Sequence, residues 1–383
     1  MPATPFRILI RGVNWLGDAV MTTPALQRLR EALPESHVTL LTHEKLRDLW
    51  QGHPSLNRIV TFASRDGAWS VSRRLREEKF DAALVFPNSP RAALEVWLTR
   101  IPKRIGYARP WRNWFINQLV ASRKEHVEMR KRSAAEVNGL INNREQATRN
   151  TQYPASAHQI HEYLHLTSSL GARSAPIAPY LHVAPEEMES VALRFDLRDD
   201  PAEGFFGLNP GAEYGPAKRW PIERFIAAAV EIQRRTRCRW LVFGGPADAG
   251  IAREIETGLR SSQMAGSNAG PLNLAGKTTL RELCVLLKLC RVVLTNDSGP
   301  MHVAAAVGTP VVVPFGSTSP ELTGPGLAGE GGHEILSAHA LCSPCFLRAC
   351  PIDFRCMTGI SVERVVEAVL RAAGSNAKSS KIQ

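Results

Sequence analysis

The sequence predicts an α/β protein built from two doubly wound domains. Three observations carry that expectation. Short apolar runs alternate with longer amphipathic runs in the first half of the chain, and the same alternation restarts in the second half. Between them, Gly171 to Pro201 is rich in proline, alanine and charge, as a linker with some local structure would be. Such alternation yields parallel strands covered by helices. Ligands of doubly wound sheets lie beyond the carboxyl ends of the strands, so a cleft between the two domains is the expected site. The length of 383 residues suits two cores better than one.

Taken in order, the first half offers strands at 6–11, 37–42, 58–62 and 81–86, with helices at 19–33, 67–79 and 89–99. The second half offers strands at 204–209, 239–244, 291–296 and 310–315, with helices at 221–236, 247–260, 279–289 and 300–307. A last helix starts at the cap Ser361. Val362, Val365, Val366, Val369 and Leu370 follow at i, i+3, i+4, i+7 and i+8 and give it one apolar face. Gly374 is expected to stop it, leaving 374–383 as a polar, disordered tail.

The apolar fraction of 44% and charged fraction of 22% are those of an ordinary globular protein. Phe6 to Arg11 is a strand-length run broken by arginines and does not read as a signal peptide. No window reaches the roughly 20 apolar residues of a transmembrane helix. A cytoplasmic or membrane-peripheral protein is expected.

The net charge of +11 implies a polyanionic partner: nucleic acid, an anionic membrane surface or an acidic substrate. Between Arg100 and Arg132 ten basic residues face two acids, with Tyr107, Trp111, Trp114 and Phe115 interleaved. That excess reads as an anion-contacting surface, with Arg104, Arg109 and Arg112 as candidates; the plainer reading is a solvated basic face. No RNA-recognition or helix-turn-helix signature accompanies the charge, so nucleic acid is not the expected partner.

The segment Thr295-Asn296-Asp297-Ser298-Gly299-Pro300-Met301-His302 carries the most chemistry. It joins an apolar strand to a helix whose start holds a cap, Ser298, and a proline just inside, Pro300. Backbone N–H groups and the positive end of the helix dipole converge there, as a phosphate or pyrophosphate requires. Asp297, Ser298, Gly299 and His302 are therefore candidate anion-site residues, against the plain reading of a capped helix. After strand 204–209, the Gly/Pro-rich loop 210–221 ends in Lys218 and Arg219, cations suited to reach a phosphate. Asp248 follows another strand and either accepts from a ribose hydroxyl or caps its helix. Asp18, in the turn Gly12-Val13-Asn14-Trp15-Leu16-Gly17-Asp18, either steadies a helix start or serves as a general base.

Other chemistries are not indicated. The first turn lacks G-x-G-x-x-G and no carboxylate closes the second strand, so a nicotinamide cofactor is not expected. No P-loop motif and no Asp-x-Asp pair occur, which points away from an NTPase and from metal-dependent nucleotide-sugar chemistry of that design. Of seven cysteines, Cys238, Cys284 and Cys290 lie in apolar runs. Cys342, Cys345, Cys350 and Cys356 form a cluster that suits either a structural zinc or an unmetallated loop; its spacing is not that of a zinc ribbon. Neither a metal nor a cofactor is the working expectation.

Taken together, Asn14-Trp15-Leu16-Gly17-Asp18, the loop Gly211 to Pro221, Thr295 to His302 and Cys342-Ser343-Pro344-Cys345 resemble the ADP-heptose:lipopolysaccharide heptosyltransferases over residues 6–372. The Gly-Pro-Ala-Lys-Arg-Trp-Pro loop leans towards the members that add the second heptose of the inner core. The resemblance implies a GT-B fold with an acceptor domain over 1–175, a nucleotide-sugar domain over 176–360, and a helix over 361–373 that packs back on the first domain. It implies an inverting, metal-independent transfer from ADP-heptose to an anionic lipopolysaccharide core at the cytoplasmic face of the inner membrane. Asp18 would be the base, Lys218 the lysine on the pyrophosphate, and Asp297, Ser298, Gly299 and His302 the donor turn. Residues 141–158 look long and polar for the family and read as an insertion. A different acceptor or nucleotide sugar is the alternative.

Overall fold

In the computed structural model, residues 5–142, 153–197, 204–262, 270–327 and 332–379 are described, with side chains to Gly374 in the last segment. The chain divides into two compact units, residues Met1–His126 with Ser156–His182, and Val127–Ala155 with Val183–Gln383. The predicted boundary at 175/176 thus moves to 182/183, within the expected linker. Residues 127–155 belong to the second unit although they precede the return to the first.

The first unit contains β1 (Arg7–Arg11), α1 (Leu16–Met21), α2 (Thr23–Ala32), β2 (His37–His43), β3 (Arg58–Phe62), α3 (Ala68–Leu75), β4 (Ala82–Val85), α4 (Pro90–Leu98), β5 (Lys103–Tyr107) and β6 (Gln118–Val120). The second unit contributes α5 (Ala134–Asn142), and α6 (Ile160–Ser168) then packs back on α2 and β5 of the first. Continuing the second unit are α7 (Pro185–Arg194), β7 (Phe205–Asn209), α8 (Ile222–Thr236), β8 (Arg239–Val242), α9 (Ala249–Ser261), β9 (Leu272–Asn273), α10 (Leu280–Leu289) and β10 (Cys290–Thr295). It ends with α11 (Gly299–Ala306), β11 (Val311–Phe315), α12 (Pro320–Thr323), β12 (Glu334–Ser337), α13 (Arg355–Thr358) and α14 (Val362–Ser379).

Each unit carries a six-stranded sheet, ordered β3-β2-β1-β4-β5-β6 in the first and β12-β11-β10-β7-β8-β9 in the second. Every strand pair in them is parallel. The two orders are the same topology, and each reverses once: between β1 and β4, and between β7 and β10. At such a switch point the flanking connections leave on opposite faces and open a crevice beyond the strand ends. The strands are apolar on both faces because helices cover both. In the first unit Leu9, Leu41, Phe62, Val85 and Val96 share one core cluster; in the second, Phe206, Trp220, Phe225, Trp240 and Leu294 share another.

Two expectations are corrected at the C-terminus. The apolar face of α14 is as predicted, but Val365, Val366 and Val369 enter the second unit's own core. There α14 packs on α8, β10, β11 and β12, and Arg371 pairs with Glu334 at 3.1 Å. The helix expected to cover the first unit therefore seals a face of the second sheet. Its backbone also runs past Gly374 to Ser379, since a glycine inside a helix costs only about 1 kcal/mol and does not by itself end it. The remainder of the expected disordered tail, 380–383, lies outside the described residues, as does 143–152 of the expected insertion.

Candidate functional site

At the β7/β10 switch point Thr295 and Asn209 pair across the two strands, and the chain beyond each makes the site. Asn296 is fully buried; its Nδ2 donates to Pro210 O (2.7 Å) and its Oδ1 accepts from Trp220 N–H (3.0 Å). One side chain thus ties both ends of the 210–220 loop to the β10 turn. Trp220 closes the loop in the core, donating from Nε1 to Ile360 O at 3.1 Å. Two glycines make this path possible. A Cβ on Gly211 would stand 2.5 Å from the Asp248 carboxylate, and one on Gly215, at φ 151°, 2.5 Å from Arg348 O.

So held, the loop brings Lys218 Nζ to 2.6 Å from Asp297 Oδ2. Asp297 is only 3% exposed and also accepts from the Thr318 hydroxyl, which sits just beyond β11. The Lys218 ammonium lies 4.9 Å from the centre of the Tyr214 ring, and the Arg348 guanidinium 5.3 Å from the same ring. Tyr214 donates to Phe346 O at 2.7 Å, and burial holds its phenol above the usual range. Ser298 stands at the N-cap position of α11, but its hydroxyl makes no cap bond; it accepts from Asn209 Nδ2 (3.1 Å) and donates to Asn296 O (3.2 Å). The capping expectation is corrected there. The consequence is chemical: first-turn N–H groups of α11 are not taken up by that side chain. His302 is buried on the same helix. Asp248 stands at the N-cap position of α9, but its side chain makes no cap bond to that helix; it accepts from Gly245 N–H at 3.0 Å instead, and its carboxylate lies against Gly211 of the Lys218 loop.

The switch point of the first sheet presents Asp18. Gly12 N–H donates to Leu41 O at 2.9 Å, and the turn leads into α1, where Asp18 sits half-buried in the first turn. Its Oδ1 accepts a long bond, 3.4 Å, from Gln159 Nε2, which also donates to the Tyr163 hydroxyl at 2.9 Å. Burial first, then the Asp18 charge, push the Tyr163 phenol well up, so it stays neutral. Below the turn, buried Arg11 pairs with fully buried Glu95 at 2.8 Å and donates to Asn14 Oδ1 at 3.2 Å. Burial outweighs the carboxylate and lowers the Arg11 pKa.

The basic stretch divides between the units at His126/Val127. Arg112 is fully buried and donates to Pro87 O (2.7 Å) and Asn88 Oδ1 (3.1 Å) beyond β4; burial brings its pKa down to about 10. Arg104 donates to Phe115 O (2.8 Å) and Arg109 to Ser122 Oγ (2.6 Å). Expected as acceptor contacts, these three arginines shape the turn between β5 and β6. Arg112 cannot reach a ligand at the surface from its buried position.

All seven cysteines are free thiols. Burial, reinforced by Cys342, Cys345 and Cys350, pushes Cys356 up to about 12, and Cys342 and Cys345 pack with Val137 as small apolar groups. Among the described residues no group of three or more His, Cys, Asp or Glu is arranged to hold a metal ion. Nor, among them, is any helix long and apolar enough to cross a membrane.

Sequence reading missed Asn209, Thr318, Arg348, Gln159 and Tyr163. Thr318 and Asn209 lie beyond strand ends, which the switch-point rule alone could have flagged. Gln159 borders the stretch read as an insertion, and no local pattern marks its approach to Asp18.

Residues 68–354 match the family described as glycosyltransferase family 9 (heptosyltransferase). The chain is 30% identical over 332 residues to lipopolysaccharide heptosyltransferase 2 of Salmonella typhimurium, covering 83% of this chain and 85% of the relative. It is 30% identical over 329 residues to lipooligosaccharide heptosyltransferase 2 of Haemophilus ducreyi, covering 83% and 86%. The structure of Escherichia coli ADP-heptose LPS heptosyltransferase II superposes with a TM-score of 0.75 at 24% identity, over 97% of this chain and 99% of that one. That likeness establishes the fold as GT-B.

Proposed function

Since the chain belongs to glycosyltransferase family 9, the heptosyltransferases, we propose that it moves heptose from ADP-heptose to the first heptose of a lipopolysaccharide inner core. The observation that carries the donor half is the Lys218–Asp297 pair, 2.6 Å apart at the β7/β10 switch point beside the start of α11. An ammonium and first-turn N–H groups converging at one spot suit a pyrophosphate, as Asp297 holds the lysine extended before the nucleotide arrives. As the glycosidic bond to ADP breaks, the charge growing on the departing phosphate is met by Lys218 and the helix start. Asp248 and His302 are further donor-side candidates.

On the first unit, Asp18 takes the proton of the attacking acceptor hydroxyl, and attack from the face opposite ADP inverts the anomeric carbon. Gln159 orients the Asp18 carboxylate through its 3.4 Å bond, and the neutral Tyr163 phenol fixes Gln159. An acceptor bearing phosphates and acidic sugars, at the cytoplasmic surface of a membrane, matches the chain's net charge of +11. Titration with ADP, UDP, GDP and NAD tests the donor half. Selective ADP binding, lost in Lys218→Ala, supports it; equal affinity for all four removes ADP-heptose from the account.

A further inference from the structure

Between β5 and β6, at the edge of the first sheet, Trp111 is 84% exposed and Trp114 88%. Trp97, 43% exposed on α4, stacks obliquely on Phe115 with ring centres 5.7 Å apart, so the exposed aromatics extend beyond the turn. Leu119 on the edge strand is 49% exposed. The turn is firmly built. Arg112 anchors it from beneath, Arg109 N–H donates to Asn113 Oδ1 (2.9 Å), and Asn117 Nδ2 donates to Pro102 O (2.6 Å). Trp111 sits at φ 64°, a left-handed conformation that bulky side chains avoid unless the surroundings enforce it.

The charge around these rings has one sign. From Trp97 to Lys124 the chain has seven Arg and Lys and no Asp or Glu. Arg112 is consumed inside, whereas Arg100 and Lys124 are exposed and have no ion-pair partner among the described residues. Indole rings prefer the boundary between water and hydrocarbon, and single-sign cations favour an anionic headgroup layer. A protein partner would more often meet carboxylates mixed with the cations.

We infer that the Trp111–Trp114 turn is a membrane-docking wedge that inserts its indoles among the headgroups of an anionic bilayer while Arg100 and Lys124 lie against the phosphates. This deepens the proposed membrane association and rests on it only for its biological purpose, which is to hold the enzyme where a lipid-linked acceptor lies.

The test is sedimentation of the full chain with phosphatidylethanolamine/phosphatidylglycerol vesicles against phosphatidylcholine vesicles, at low and high salt. The wild type binds the anionic vesicles, less so as salt rises. Trp111→Ala/Trp114→Ala lowers that binding at least about tenfold and leaves ADP affinity and transfer to a deacylated, water-soluble acceptor unchanged. Arg100→Glu/Lys124→Glu weakens anionic binding and flattens its salt dependence, an independent check should the first variant fold poorly. Failure of the wild type to bind, or undiminished binding by both variants, overturns the inference. So does loss of soluble-acceptor transfer with vesicle binding intact, which would make the tryptophans a sugar platform. Absence of heptosyl transfer by the wild type would count against the proposed function and leave the vesicle result readable by itself.

Discussion

Replacing Lys218 by alanine separates two effects of one ion pair. Its partner Asp297 is 3% exposed and keeps the Thr318 hydroxyl as a donor once the ammonium is gone. Removing one partner of a buried pair leaves an uncompensated charge and costs about 3 kcal/mol of folding stability. On the proposed donor role, the nucleotide loses one charge-assisted contact to its pyrophosphate, worth about 2 kcal/mol, or roughly a 30-fold weaker ADP Kd. The two losses come apart in Lys218→Ala/Asp297→Asn, where the stranded charge is removed as well. The double variant should recover most of the stability in urea unfolding and none of the ADP affinity in calorimetric titration. If ADP binds the single variant as tightly as the wild type, Lys218 is a structural partner of Asp297 and the donor assignment fails. If binding returns in the double variant, the loss came from misfolding of the loop.

Other outcomes follow from the same geometry. Asp18→Asn should reduce turnover by at least about a hundredfold with ADP affinity unchanged, because Asp18 and the Lys218–Asp297 pair belong to different units. A parallel loss of ADP binding would contradict the base role. Asn296→Ala strands the buried Pro210 C=O and Trp220 N–H and should cost about 3 kcal/mol, seen as a lower urea midpoint at unchanged slope. His53, buried against Trp50, has its pKa lowered by burial from 6.5 to about 4. The unfolded chain therefore takes up this proton first as pH falls. The stability is whole above pH 6.5 and drains down to about pH 4, with about 2 kcal/mol gone by pH 5 relative to pH 7.5. His53→Gln should flatten that part of the stability profile; an unchanged profile would refute the assignment.

The parts legible in the sequence are those written in local patterns. Strands such as Phe205–Asn209 and Val311–Phe315 are buried on both faces and read as short apolar runs within a residue or so of their bounds. The Thr295–His302 turn was legible because a strand end, a residue at the cap position and a proline follow one another within six residues. Less visible were Lys103–Tyr107 and Gln118–Val120: the first begins with two cations, and the second is three residues long at a sheet edge. Long-range choices were not legible at all. Nothing in residues 127–132 announces that Arg132 donates to Cys342 O across 210 positions, drawing that segment into the second unit. The apolar stripe of the last helix was plain, but a stripe does not name the surface it covers. Lys218 and Asp297 were each singled out by motif; their direct pairing depends on Asn296 stapling the loop, which only the fold reveals.

Heptosyl transfer itself can be read in a single reaction mixture. Purified protein is incubated with ADP-heptose and a deacylated core acceptor ending in a single heptose, and the products are weighed by mass spectrometry. An acceptor heavier by one heptose is expected, with one ADP released per transfer. An acceptor of unchanged mass, in protein that binds ADP normally, would contradict heptosyl transfer.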